Sequence, residues 1–150
     1  MSYLFKIEFT KKSDYLNDDY DRLSDYEKEK ISSLESESFL DYDDLDDNYV
    51  CIIITSYTEM KPYLNILKNN LIEHTVHDLS KDIITGKIDL EVLLKDNFST
   101  NQIKFSIFVE EVNKWILKNT NIDIILDRIS QVGMSKLKEV EKEYLKNYKI

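Results

Sequence analysis

Val50-Cys51-Ile52-Ile53-Ile54-Thr55 is the most apolar run of β-favouring residues in the chain, and it follows directly on the acidic run Asp41 to Asp47. A short continuous apolar stretch of this kind reads as a strand buried on both faces. It is taken as the central strand, residues 49–56, of a small sheet. Around it, Tyr3 to Thr10 alternates apolar and polar residues and gives a second strand over 3–10. Residues 72–79 give a third. Between the last two, Ser56-Tyr57-Thr58-Glu59 is a capping box. It opens a helix from about Thr58 to Asn70, whose buried face is Met60, Leu64, Leu67 and Leu71. Pro62 is tolerated there as a residue of the first turn or so. Strand, helix and strand make a β-α-β unit, for which parallel strands joined by a right-handed crossover are the expected form.

Ser24-Asp25-Tyr26-Glu27 is another capping box, opening a surface helix over about 25–35 with a thin apolar stripe of Tyr26, Ile31 and Leu34. Ser36 to Asn48 carries too much charge to pack by itself, although Phe39, Leu40 and Leu45 can anchor it. From about residue 100 to 148 the chain reads as helical. Asp89 caps a helix through Leu94, and Ser99 to Gln102 is a third capping box. Residues 103–110 alternate like a strand, but the stripe Phe105, Phe108, Val109, Val112, Trp115, Ile116 runs twice as far and favours helix. Ile122 to Val132 presents Ile125, Leu126, Ile129 and Val132 on one side and stops at Gly133. Ser135 opens the last helix, with Leu137, Val140, Tyr144, Leu145 and Tyr148. The fold class is therefore α+β in a single domain of 150 residues.

Composition excludes several functions. Glycine occurs twice, so no phosphate-cradling loop can be written. Cys51 is the only cysteine, which rules out an intrachain disulfide and a thiolate zinc cluster. There is no alanine, and arginine occurs twice, the mark of an AT-rich genome, bacterial or phage. With no signal-peptide pattern and no run of membrane-spanning length, the expectation is a cytoplasmic protein, in host cytoplasm or virion if phage-encoded, without cofactor or metal.

The charge is uneven. Residues 1–48 hold 15 acidic and 6 basic side chains, whereas the remaining 14 acidic and 14 basic side chains cancel. The whole net charge of −9 thus belongs to the first third. Within residues 13–48, Asp14-Tyr15, Asp19-Tyr20, Asp25-Tyr26 and Asp41-Tyr42 repeat an acid–tyrosine pair. Tyrosine supplies rigid amphipathic contact area and carboxylates supply long-range attraction. The candidate partner-binding residues are Tyr15, Asp19, Tyr20, Tyr26, Asp41, Tyr42, Asp43, Asp44, Asp46 and Asp47. The expected partner is a basic protein, met by an inhibitor or immunity-type protein that imitates nucleic acid. The plainer reading is a solvated loop whose tyrosines tuck onto the core.

Other constellations are weaker. A calcium loop fails on spacing: counted from Asp41 it puts Leu45 at a ligand position, and counted from Asp44 it puts Tyr49 at the required glycine. His74 and His77 fall on opposite faces of a strand, so an enzyme using them is the least favoured class. Lys138, Lys142, Lys146 and Lys149 interleave with Glu139, Glu141 and Glu143 as a salt-laced solvated face, which argues against direct nucleic-acid binding. The runner-up function is a structural subunit of a homo-oligomer or virion, held by the helical half around Trp115.

Ile125-Leu126-Asp127-Arg128-Ile129-Ser130, then Gly133, Leu137 and Glu141 to Leu145, resembles a two-helix tail at the cytoplasmic C-termini of some rhomboid-family membrane proteins and of assorted small proteins. The resemblance covers residues 122–148 and departs at Lys138-Glu139-Val140, where the familiar tail has Ser or Thr and an acidic residue. It implies a small docking or packing module and no catalysis, because the rhomboid active site lies in membrane helices.

Overall fold

The computed structural model describes residues 1–9, 21–34, 38–43, 48–95 and 103–148. The elements are β1 (Tyr3–Phe9), α1 (Asp25–Leu34), β2 (Phe39–Asp43), β3 (Tyr49–Thr55), α2 (Tyr57–Asn69), β4 (His74–Asp78), α3 (Ser80–Ile84), α4 (Leu90–Lys95), α5 (Ile103–Asn119), α6 (Ile122–Val132) and α7 (Glu139–Asn147). A 3-10 turn, Met134–Lys136, joins the last two helices. The third capping box, residues 99–102, lies outside the described residues. This is an α+β fold.

The four strands are ordered β2-β3-β1-β4, and every neighbouring pair is antiparallel. The apolar run is thus one of two inner strands. The expected β-α-β unit is present in a modified form. β3 and β4 run in the same direction but are not neighbours, because β1 is inserted between them and pairs with both. The composition of the strands accounts for this order. Leu4 of β1 is buried on one face and Phe5, Ile7 and Phe9 on the other, whereas His74-Thr75-Val76-His77-Asp78 is polar and suits an edge.

Both faces of the sheet are covered, which is why β3 is apolar at consecutive positions rather than alternate ones. Cys51 and Ile53 face a layer formed by α1 and α2, with Ile31, Met60, Tyr63, Ile66 and Leu67. Val50 and Ile52 face the C-terminal helices, with Ile83, Leu94, Phe108, Val112 and Trp115. Each fully buried side chain of this size is worth about 1.5–3 kcal/mol relative to exposure.

β2 was not expected. It forms because Leu40 and Tyr42 alternate with Asp41 and Asp43, so that Leu40 is fully buried and Tyr42 packs against the same core, while the carboxylates take the other face. α2 starts as expected, with the Glu59 amide donating to Ser56 Oγ at 3.1 Å, while the Glu59 carboxylate accepts from Thr55 Oγ1 at 2.7 Å. Pro62 is the sixth residue of this helix, not part of its first turn. Leu71 is 92% exposed, not buried. It lies beyond the helix end at φ 56°, where its amide donates to the Lys68 carbonyl and that of Ile72 to the Leu67 carbonyl. That is a Schellman closure with leucine in the position glycine usually takes.

α5 is the helix its apolar stripe foretold, and α6 ends at Gly133. On α6, however, Leu126 is half exposed and Arg128 is buried. The last helix begins at Glu139, four residues later than Ser135, and Leu137 is buried in the connection that precedes it.

Candidate functional site

Four of the ten candidate partner-binding residues are described. Tyr26 stands on the first turn of α1, 65% exposed, with the Lys30 ammonium 5.5 Å from its ring centre. This turn is held firmly. The Glu27 amide donates to Ser24 Oγ and the Ser24 amide to Glu27 Oε1, while Glu27 Oε2 accepts from Asn70 Nδ2 at 2.7 Å and ties α1 to the end of α2. The Ser24 amide, then the Asn70 bond, hold the Glu27 carboxyl below its ordinary range. Around Tyr26, Asp21, Asp25 and Glu29 are exposed.

Asp41 has an internal role. It accepts from Tyr49 Oη at 2.7 Å and pairs with Lys104 Nζ of α5 at 3.0 Å, so it pins the β2 edge to both layers. Burial pushes its pKa up, but the Tyr49 and Lys104 bonds outweigh that and leave it below the usual carboxylate range. Burial, then the neighbouring Cys51 and the Asp41 bond, push the Tyr49 phenol far upward, so it remains a neutral donor. Tyr42 packs toward the C-terminal helices, and Asp43 is exposed at the end of β2. Tyr15, Asp19, Tyr20, Asp44, Asp46 and Asp47 lie outside the described residues.

The histidines separate as their spacing requires. His74 is opposite Phe9 on the α1 and α2 face, and His77 is opposite Lys6 on the other. Cys51 is 1% exposed. Among the described residues, no group of three or more His, Cys, Asp or Glu side chains could hold a metal ion. No described helix is long and apolar enough to cross a membrane.

Two features were missed in the sequence. One is a cavity of about 250 Å³ between α4, α5 and the start of α7, floored by Leu90, Leu94, Val112 and Ile116. At its rim Lys138 Nζ lies 3.7 Å from Asp89, beside Glu91 and Glu139. The other is a buried ion pair, Arg128 with Glu141, at 3.0 Å. Glu141 therefore belongs to the interior and not to the solvated face of α7. Both depend on packing between helices, α4 with α5 and α7 for the cavity and α6 with α7 for the ion pair. The one local hint was an arginine among the apolar positions of α6.

No protein-family model, curated protein or solved structure matches the chain.

Proposed function

We propose that this is a protein-binding module that engages a basic partner through the acidic, tyrosine-bearing face of its first third. One observation carries the reading: the entire net charge of −9 resides in residues 1–48, while the remainder is balanced. Exposed Asp21, Asp25, Tyr26, Glu29 and Asp43 on α1, just ahead of it and on β2 support the reading, since they turn part of that charge outward from a rigid scaffold. Such a field steers an oppositely charged surface and sets encounter rate and specificity more than raw affinity. A nucleic-acid-mimicking inhibitor of a basic protein is the form of this activity that acidic charge with tyrosine fits best.

The test is affinity capture from the source cell, comparing wild type with Asp43→Asn/Asp44→Asn/Asp46→Asn/Asp47→Asn. Asp41 is left intact because it anchors Tyr49 and Lys104. A specific basic protein should be retained by wild type, released as salt rises from about 50 to 300 mM, and lost with the variant. Capture indifferent to both salt and variant overturns the proposal.

A further inference from the structure

The two edges of the sheet differ. β2 is secured by the Asp41–Lys104 pair, whereas four of the five residues of β4 are exposed. The phase of the β1–β4 ladder follows from one bond: the Leu79 amide donates to the Leu4 carbonyl at 2.8 Å. In an antiparallel ladder, bonded pairs alternate with unbonded ones. The bonded pairs are therefore Leu4 with Leu79, Lys6 with His77 and Glu8 with Thr75. The backbone groups of His77 and Thr75 point at β1, and those of His74, Val76 and Asp78 point away from the sheet. An edge strand is normally blunted by lysine, proline or a bulge. His74-Thr75-Val76-His77-Asp78 contains neither lysine nor proline, and its register with β1 is continuous.

We infer that β4 pairs antiparallel with β4 of a second copy, about a two-fold axis at Val76, joining two sheets into one. The register follows from the phase. Outward backbone groups must meet outward groups, so permitted registers differ by steps of two residues. Only the register with Val76 opposite Val76 engages all three outward residues, for about six N–H···O bonds. It sets His74 opposite Asp78 of the second copy. Registers centred on His74 or Asp78 instead set identical titratable groups against each other, and those centred on Thr75 or His77 use fewer outward pairs. Both side chains are held by bonds within their own chain. Asp78 accepts from the Ser80 amide and from Tyr57 Oη, both at 3.0 Å, and His74 Nδ1 lies 2.8 Å from the Ile72 carbonyl.

Exposed apolar groups flank the same strand. Val76 is 36% exposed, Tyr57 beside Asp78 is 55% exposed, and Leu71 just before β4 is 92% exposed. The two-fold brings the Leu71 end of one copy to the Tyr57 end of the other. The contact is isologous and closes at two copies.

Disulfide trapping tests this directly. Across a bonded antiparallel pair the Cα atoms stand about 5.5 Å apart, within the span a disulfide bridges. Cys51 is buried and leaves no competing thiol at the surface. Oxidised Val76→Cys should form a covalent dimer of twice 17.8 kDa. Thr75→Cys, which faces His77 of the other copy, should not. By light scattering, wild type should be a dimer. Val76→Pro removes an outward amide, and Val76→Lys sets two ammonium groups at the axis, so both should be monomers with an unchanged circular dichroism spectrum. A wild-type monomer up to about 100 µM overturns the inference. So does a dimer that survives Val76→Lys, or cross-linking of Thr75→Cys as readily as Val76→Cys.

Discussion

Arg128 Nε donates to Glu141 Oε2 at 3.0 Å and Nη2 to Oε1 at 3.4 Å, a two-pronged bond between α6 and α7 in which both side chains are almost wholly buried. Glu141 Oε1 also accepts from the Lys138 amide at 3.0 Å, so the same carboxylate closes the open N-terminus of α7. The other side of the guanidinium lies against Gly86, in the turn after α3. Removing either partner strands a buried charge, whereas removing both does not. Arg128→Ala or Glu141→Ala should each cost about 3–5 kcal/mol in urea unfolding, and Arg128→Met/Glu141→Leu much less than their sum. Additive losses would count against the pair as the fastening of the C-terminal helices.

Gly86 has φ +78°, and a Cβ there would stand 2.3 Å from Arg128 Cζ. The Glu141 bond keeps the guanidinium from swinging aside. Gly86→Ala should therefore cost about 2–3 kcal/mol, of which about 1 kcal/mol is the left-handed backbone itself. In an Arg128→Ala background the cost should fall to that backbone part, as chemical denaturation of the four proteins would show. An unchanged cost would mean that the contact with Arg128 does not matter.

Leu71 carries a backbone cost with no packing to offset it, being 92% exposed at φ 56°. Leu71→Gly should raise stability by about 0.5–1 kcal/mol, read as a higher thermal midpoint in calorimetry. A loss of stability would show that the leucine side chain makes contacts of its own, including those with a second copy. Repeating the scan over a range of protein concentrations separates the two.

Asp41 sets an acid limit. Its folded-state pKa is depressed, so its contribution is fully present above the unfolded carboxylate value of about 3.9 and disappears as pH falls through the lower folded value. Asp78 acts in the same sense: burial pushes it up, and its Ser80 and Tyr57 bonds more than compensate. Unfolding free energies from urea titration of Asp41→Asn should lie below wild type at pH 6 by about 1 kcal/mol and converge on it below about pH 3. A constant gap at every pH would indicate packing and not ionisation.

The parts of this fold that were legible in the sequence are those fixed by near neighbours. The caps at Ser24 and Ser56, the stripe from Phe105 to Ile116 and the stop at Gly133 each depend on residues within a turn or two. Placement between elements was not legible. The polar composition of β4 points to an edge but does not say which inner strand it flanks, and the charge around Phe39 to Asp43 hid a strand anchored by buried Leu40 and by the Tyr49 and Lys104 bonds of Asp41. The candidate site divides in the same way. Its charge was evident from composition, but that Asp41 is structural and that Tyr42 packs inward depended on contacts with α5 and the far core. The burial of Arg128 escaped the sequence for a similar reason, since its counter-charge lies 13 residues away across a turn.

β1 precedes both of its neighbours in the chain and is also an inner strand, paired with residues 49–55 and 74–78. Phe5, Ile7 and Phe9 belong to one hydrophobic layer, while Leu4 belongs to the other, which is completed by Val140. As the chain leaves the ribosome, β1 has no partner strand until about 40 further residues have followed, and the layer over Leu4 fills in with α3, α4 and α5 before Val140 of α7 completes it. Contacts this far apart are slow to close and leave sticky surface open to aggregation in the meantime. The sheet therefore closes around β1 only after β3 and β4 have been made, and removing α7, which supplies Val140 to the layer over Leu4, should lengthen the exposure of that face.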